Sequence, residues 1–406
     1  MSKEEEIIVG LDVGTTKICA IVAEVIDNKR LDIIGIGSHP STGLKKGMVV
    51  NIESTIKAIK RAVEEAELMA GIEIGTVFTG IAGGHIKGMN SSGVVAVKEQ
   101  EVTQGDIDRV LDAARTQAIP GNQQILHVLP QEFIIDHHSG ITEPLGMSGV
   151  RLEVLVHIIT GAVTAAQNIE KSINRAGLDM SEMILQPIAS AEAILTSEEK
   201  ELGVAVVDIG GGTTDIATFV DSGIRHTAVI PIGGAHFTND IAIGLRTPRA
   251  DAEKIKIRHG CASVDLLEGD DKIEVPSVGG RPPRQLSRQL LAEIIEPRAE
   301  EIFSLVAQEI EKMGNEDRVA SGVVLTGGSA SFKGIVEVAE RILGLPVRVG
   351  IPTDVGGLVD VVSGPEYATG VGLTLYAFRN QKKAEHRDRG DQKMLQRMTT
   401  WVKGFF

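Results

Sequence analysis

The 406-residue sequence contains few aromatic residues and only two cysteines. Phe, Trp and Tyr make up 3% of the residues, and the single tryptophan is Trp401. Cys19 and Cys261 lie far apart and outside any CxxC motif, which excludes a disulfide framework and a zinc ribbon. We therefore expect two reduced, buried thiols in a cytosolic protein.

Long hydrophobic runs are absent as well. The sequence contains no run of eighteen apolar residues, so it predicts no membrane-spanning helix. Its first ten residues, MSKEEEIIVG, are acidic, whereas a secretion signal is basic and then apolar, and we expect no such signal. With 42% hydrophobic and 24% charged residues, the chain has the composition of a globular protein and the length of two or more domains.

Charge is distributed unevenly along the chain. The formal net charge is −14, yet the residues from Arg379 onward include eight Lys or Arg and three acids. This local excess of five positive charges leaves about −19 on the remaining residues. The acidic body predicts that nucleic acid is not a partner, while the basic end favours contact with anionic lipid.

A similar pattern occurs twice in the chain. The segments EEIIVGLDVGTTKICAIVAEV and ELGVAVVDIGGGTTDIATFVD each predict an apolar strand, an Asp followed by a Gly/Thr turn, and a second strand. Amphipathic helices are predicted over 54–70 and 164–176, and each is followed by a glycine. The sequence therefore predicts an α/β protein with two similar halves.

Each repeated hairpin has the composition of a phosphate-binding turn. Glycine and threonine allow backbone N–H groups and hydroxyls to approach phosphate oxygens, and Lys17 adds positive charge. Asp12 and Asp208 follow apolar strands, where a carboxylate can orient the water molecules of a Mg²⁺ ion. A single hairpin would be equally typical of a tight structural turn, but the doubled pattern favours a clamp on phosphates. The predicted phosphate-binding residues are Asp12, Gly14, Thr15, Thr16, Lys17, Asp208, Gly210, Gly211, Gly212, Thr213 and Thr214.

A third segment, GVVLTGGSASFKGI, predicts a buried strand that runs into Gly327 and Gly328. Such a turn lets the backbone lie against a purine or ribose. The three segments, in this order, resemble those of the actin, Hsp70 and sugar-kinase superfamily. The resemblance implies ATP and Mg²⁺ as ligands, with Gln186 placing the attacking water and Glu253 and Lys256 contacting the nucleoside. A solvated helix face is the alternative for the last two residues.

Within this superfamily the sequence is similar to the FtsA family of actin-like bacterial cell-division proteins. The segments PQEFIIDHHSGITEPLGMSGVRLEV, RHGCA, VPSVGGRPPR and LAEIIEPRAEEI carry this resemblance. It implies an actin-like ATPase fold with two halves around a nucleotide cleft and an inserted subdomain 1C. The implied parts are subdomain 1A (1–84, 155–200 and 361–379), 1C (85–154), 2A (201–238 and 313–360), 2B (239–312), a disordered linker (380–392) and an amphipathic helix (393–406).

The resemblance also implies partners and a location. FtsZ would dock its C-terminal tail on subdomain 2B, where a helix is predicted from Gln285 to Met313. Later division proteins would bind through subdomain 1C, and the chain would form filaments with itself. The expected location is the cytoplasmic face of the inner membrane at the division septum, and ATP hydrolysis is expected to be slow.

The C-terminal segment KMLQRMTTWVKGFF separates its apolar and polar residues. On a helical projection, Met394, Leu395, Met398, Trp401, Val402, Phe405 and Phe406 fall within one arc of about 140°. Lys393, Arg397 and Lys403 flank that arc. A groove on a partner protein would accept the same face, but the flanking charges and the linker favour an anionic membrane surface.

Two other functions stay open at this point. A small-molecule kinase of the same fold, acting on a sugar or an acid, would need a catalytic base over a substrate cleft, and no acidic residue is singled out for that role. An Hsp70-like chaperone would need a peptide-binding β-domain after the nucleotide domains. The expected function is therefore an ATP-dependent, membrane-attached scaffold of cell division.

Overall fold

The computed structural model describes residues 6–27, 29–116, 119–269, 271–313 and 319–382. The strands within these ranges are β1 Ile7–Val13, β2 Lys17–Ile26, β3 Arg30–Pro40, β4 Leu44–Lys45, β5 Met48–Val49, β6 Thr76–Ile81, β7 Lys87–Ala96, β8 Gln123–Ile135, β9 His138–Ile141, β10 Arg151–Ala162, β11 Asp179–Leu185, β12 Val204–Ile209, β13 Thr214–Val220, β14 Gly223–Ile230, β15 Lys272–Val275, β16 Arg284–Ser287, β17 Val323–Thr326, β18 Val347–Val349 and β19 Val355–Gly357. The helices are α1 Ile52–Ala70, α2 Gln104–Arg115, α3 Val163–Ala176, α4 Gln186–Ile194, α5 Ser197–Leu202, α6 Gly234–Gly244, α7 Arg249–His259, α8 Arg288–Glu311, α9 Ile335–Leu343 and α10, residues 368–382.

The first half is built on a six-stranded sheet in the order β11-β6-β1-β2-β3-β19. Strands β1 and β2 form an antiparallel hairpin, and β6 lies parallel to β1. Both hairpin strands are apolar and buried over most of their length, as expected where helices cover a sheet. The carboxyl end of β1 and the turn after it are thereby fixed in a rigid frame.

The second half repeats this arrangement. Its five-stranded sheet has the order β14-β13-β12-β17-β18, with β12 antiparallel to β13 and parallel to β17. The hairpin β12–β13 therefore corresponds to β1–β2, and β17 corresponds to β6. This equivalence confirms the prediction of two similar halves.

A separate four-stranded sheet, in the order β7-β10-β8-β9, is inserted between β6 and α3. Helix α2 packs on it, and the two share an apolar core that includes Val110, Leu152 and Val156. Helix α2 begins with a capping box, in which Thr103 Oγ1 accepts from the Asp106 N–H at 3.3 Å and Asp106 accepts from the Thr103 N–H at 3.0 Å. We call this sheet and its helix the inserted subdomain.

Helices α4 and α10 join the halves. Helix α4 contacts β6 and β11 of the first sheet and β12 and β13 of the second. Helix α10 crosses it so closely that a Cβ on Gly372 would overlap the Ala189 carbonyl oxygen. The apolar core of the first half accordingly extends to one face of the second sheet, at residues such as Val206 and Ala217.

Most of the predicted elements agree with the structure, with differences at their ends. The helix predicted from Gln285 is wrong in its first residues, because Arg284–Ser287 pairs with β15 and α8 begins at Arg288. Residues 380–382 of the predicted linker belong to α10. The rest of the linker, 383–392, and the predicted amphipathic helix, 393–406, lie outside the described residues.

Cys19 and Cys261 are both free and buried, as predicted. Within the described ranges, no helix combines the length and the apolar character needed to cross a bilayer.

We predict that Gly372→Ala destabilises the protein because the added methyl group forces α10 away from α4. The expected loss in the free energy of unfolding is about 1–3 kcal/mol, the usual cost of overpacking, measured by urea denaturation. Gly75→Ala is the matched control, since a Cβ there meets nothing within 4 Å. Alanine normally stabilises a helix relative to glycine, so a Gly372→Ala protein as stable as wild type would contradict the close crossing.

Candidate functional site

A cavity of about 390 Å³ lies where the two halves meet. Its walls come from the β1–β2 turn, the β12–β13 turn, helix α7 and the segment that follows β17. Residues Glu366 and Thr369, before and at the start of α10, close one side. The cavity therefore collects the three segments in which sequence patterns predicted a nucleotide site.

The two glycine-rich turns face each other across this cavity. A Cβ on Gly211 would overlap the side chain of Thr16 in the opposite turn. The first turn is closed by a hydrogen bond from the Gly14 N–H to the Lys17 carbonyl at 3.1 Å. Because side chains are absent at the glycines, small polar groups and backbone N–H groups are what the turns present to the cavity.

Two carboxylates lie at the ends of β1 and β12 and are almost fully buried. The Gln186 side-chain amide donates to Asp12 Oδ1 at 2.9 Å. Asp208 Oδ2 accepts from Ser190 Oγ at 2.8 Å and from Thr369 Oγ1 at 3.2 Å. Burial raises the pKa of Asp12 to about 7, against an opposing effect of Lys17, and it also raises the pKa of Asp208.

Asp215, on β13, adds a third carboxylate to this end of the cavity. Its side chain is 3% exposed, and its Oδ2 accepts from Thr213 Oγ1 at 2.8 Å. The other oxygen, Oδ1, is buried without a hydrogen-bond partner in the described part of the chain. Burial, and then the charge of Asp208, raises the pKa of Asp215 to about 8. An orphaned carboxylate oxygen of this kind is a position where a hydrated cation fits.

Lysine side chains lie on both sides of the cavity. Lys17 Nζ donates to the Glu366 carbonyl at 2.8 Å and lies 4.1 Å from the ring centre of Tyr367. Lys256 Nζ donates to Glu253 Oε2 at 2.8 Å and to the Gly234 carbonyl at 3.2 Å. The Lys256 side chain is only 11% exposed, which excludes the solvated-face alternative for that residue.

The structure brings nearly all residues predicted for the nucleotide site to this one cavity. Asp12, Gly14 to Lys17, Gln186, Asp208, Gly210 to Thr213, Glu253, Lys256, Gly327 and Gly328 all line it. Thr214 does not, because its hydroxyl is buried and donates to the Ile232 carbonyl at 2.9 Å. The lining residues that the sequence patterns missed include Asp215, Gly234, Ser329, Phe332, Glu366 and Thr369.

One of the missed residues had a signal in the sequence. Thr214 and Asp215 are the first two residues of β13, and successive side chains on a strand point to opposite faces. Only one of the two can therefore face the cavity, and Asp215 lines it whereas Thr214 does not. In the described residues, three or more His, Cys, Asp or Glu side chains are nowhere arranged to ligate a metal directly.

The chain is similar in sequence to cell division proteins of one family. Residues 205–372 match the family model described as cell division protein FtsA, and residues 83–160 match the SHS2 domain inserted in FtsA. The chain is 53% identical to cell division protein FtsA of Pseudomonas aeruginosa, over 99% of this chain and 98% of that protein. It is 48% identical to cell division protein FtsA of Neisseria meningitidis serogroup B, over 100% of both.

Solved structures show the fold. A chain of the PilM–PilN type IV pilus biogenesis complex matches with a TM-score of 0.65 at 18% identity, over 91% of this chain and 98% of that one. MreB5 of Spiroplasma citri bound to ADP matches with a TM-score of 0.58 at 16% identity, over 94% of this chain and 99% of that one. The predicted actin-like ATPase fold is thereby confirmed.

We predict that Asp215→Asn stabilises the nucleotide-free protein, and more at pH 8 than at pH 5. The unfolded chain loses the Asp215 proton near its ordinary pKa of 3.8, whereas the folded protein keeps it to about 8. The folded state therefore binds more protons over this range, and its stability falls as pH rises from about 4 to about 8. The difference is on the order of a few kcal/mol and is measured by thermal unfolding without Mg²⁺.

The control for this variant is Asp108→Asn, which removes the same charge at an exposed position of α2. Equal melting-temperature changes for the two variants at both pH values would show that Asp215 is not a proton-binding buried carboxyl.

Proposed function

Because the chain belongs to the FtsA family of cell division proteins, we propose that it is an ATP-binding, membrane-attached scaffold that polymerises and tethers FtsZ filaments at the division septum. The observation that carries this proposal is the cavity between the halves, where two turns of glycine and threonine meet three buried carboxylates. Such turns suit phosphate groups, and the carboxylates suit the cation that accompanies them.

The residues present fit a nucleotide with Mg²⁺. Backbone N–H groups of the two turns, with the hydroxyls of Thr15, Thr16 and Thr213, would hold the phosphates. Asp12 and Asp208 would hold Mg²⁺ through water. Glu253, Lys256, Gly327 and Gly328 would hold the nucleoside, on the side of the cavity formed by α7 and the turn after β17. A related fold, that of MreB5 from Spiroplasma citri, has been solved bound to ADP.

Turnover of ATP is proposed to be slow. Gln186 is the residue placed to order a water molecule, because its amide is fixed on Asp12 at the phosphate end of the cavity. A glutamine amide orients water but is a poor proton acceptor at neutral pH. A filament scaffold needs a nucleotide-dependent state rather than a high rate, so this arrangement suits it better than it suits a small-molecule kinase.

Membrane attachment is proposed to reside in residues 393–406. Each fully buried large apolar side chain contributes roughly 1.5–3 kcal/mol, but ordering each residue costs about 1–2 kcal/mol. One segment therefore binds reversibly, on the cytoplasmic face of the inner membrane. A filament that carries many such segments raises their effective concentration, so that assembly and attachment strengthen each other.

Two surfaces are proposed for protein partners. The C-terminal tail of FtsZ would dock on residues 239–312, where Ile243 is 77% and Leu290 39% exposed near α8. Later division proteins would bind the inserted subdomain, where Leu145 and Val150 are 60% and 64% exposed. These surfaces leave the cavity free.

Asp208→Ala should weaken nucleotide binding in the presence of Mg²⁺, because it removes a carboxylate that orients the water molecules of the cation. We expect a loss of about 10–100-fold in affinity, the usual effect of removing such a group, measured by equilibrium titration with ATP. Asp221→Ala, at the β13–β14 turn on the surface, is the control. Unchanged affinity in Asp208→Ala would remove this residue from the site.

Trp401→Glu should weaken co-sedimentation with anionic liposomes, since it removes the largest apolar ring of the segment and adds a negative charge. The expected loss is roughly 2–3 kcal/mol per chain, with wild-type binding falling as salt rises. FtsZ should follow the wild-type chain onto the liposomes but not Trp401→Glu. Thr400→Glu adds the same charge on the polar face as a control; wild-type flotation of Trp401→Glu would favour a protein groove as the target.

A further inference from the structure

The inserted subdomain is hydrogen-bonded to both halves of the protein through buried side chains. On β8, His127 Nε2 accepts from the Leu185 N–H of the first half at 3.0 Å. On β10, His157 Nε2 lies 2.9 Å from Thr227 Oγ1 of the second half. The two histidines are 6% and 1% exposed. The insertion is thus tied to each half at a separate point.

The bond made by His127 requires a neutral ring whose Nε2 carries no proton. Burial lowers the pKa of His127 to about 4, so the ring is neutral near pH 7 and acts as an acceptor. Leu185 is fully buried. Its N–H group depends on this acceptor, because an unpaired N–H in such a place is costly.

Leu185 directly precedes the residue proposed to order water. It is the last residue of β11 and the N-cap of α4, and Gln186 is the first residue of that helix. The side chain of Gln186 is held by Asp12 at 2.9 Å. It also packs on Gly80, where a Cβ would lie 2.8 Å from Gln186 Cγ. The side chain of Gln186 is therefore fixed by Asp12 and Gly80. The backbone before it is held by the pairing of β11 with β6 and, from the inserted subdomain, by His127.

We propose that His127 is a positioning residue that holds the start of α4, and with it Gln186, and so couples the inserted subdomain to the nucleotide cavity. The inference rests on the nucleotide site proposed above. A displacement of β8 moves the acceptor of the Leu185 N–H and changes where Gln186 lies against Asp12. By reciprocity, a nucleotide that reorders Gln186 changes the stability of β8 around His127.

The decisive comparison is between His127→Leu, which removes the acceptor, and His127→Gln, which keeps one. His157→Leu is the matched control, because it also deletes a buried histidine of the same sheet but its contacts are with Thr227 and Asn90. All three changes are made in the full chain. Steady-state ATP hydrolysis per folded molecule, ATP affinity and hydrogen exchange across residues 181–190 are measured for each.

His127→Leu should lower turnover roughly tenfold or more, as expected for a misplaced catalytic group, and should speed exchange across residues 181–190. Its ATP affinity should stay within about twofold of wild type, because the phosphate turns are untouched. His127→Gln should restore both readouts, and His157→Leu should change neither. Wild-type turnover and exchange in His127→Leu, or equal losses in His157→Leu, would overturn the proposal and leave His127 a structural residue.

A measurement on the wild-type chain needs no variant to fold. Adding ATP or ADP with Mg²⁺ should alter hydrogen exchange in residues 125–129 around His127. Binding of nucleotide by titration without any change in these residues would refute the coupling but not the nucleotide site. A wild-type chain that binds no nucleotide would refute both.

Discussion

The cost of burying Asp12, Asp208 and Asp215 close together is the constraint on which the rest of the structure depends. Carboxylates removed from water are destabilised, and here the opposing charge of Lys17 is shared with the Glu366 carbonyl and the Tyr367 ring. Such a cluster persists only when the surrounding fold over-determines it. Protons supply the missing positive charge up to about pH 7, and in the proposed function a hydrated cation would supply it when phosphates bind. The buried carboxylates therefore lower the stability of the folded protein, and the proposed ligand would offset that cost.

The repeated hairpin is what brings these carboxylates together. In each half an Asp is the last residue but one of an apolar strand, and a turn of glycine and threonine follows. Helices α4 and α10, crossing at Gly372 and Ala189, hold the two turns face to face. The apolar core of the first half continues through α4 to one face of the second sheet. The packing of these apolar layers stabilises the folded state and offsets the electrostatic cost of burying the carboxylates at the cavity.

The sequence predicts the parts of this arrangement that are local. Two hairpins, two similar halves, the actin-like fold and most lining residues follow from strand patterns and from family resemblance. The repeated Gly/Thr pattern predicts Thr214 at the site, but side chains alternate along β13, so Asp215 faces the cavity and Thr214 does not. Residues 285–287 are predicted as the start of a helix, but pairing with β15 places them in a strand. Contacts between distant segments, such as His127 with Leu185, have no local signal at all.

The inserted subdomain differs from the two halves in how it is attached. Its apolar core is separate from theirs, and its contacts with the second half include directed polar bonds, such as Gln131 Nε2 to the Ile224 carbonyl at 2.7 Å and His157 to Thr227. Apolar contacts tolerate small sliding, whereas buried hydrogen bonds have narrow limits of distance and angle. A change in the relative position of the halves must therefore strain or break one of these bonds. In the coupling proposed above, a change at the cavity would therefore alter the inserted subdomain, and with it the binding of a partner to the surface of that subdomain.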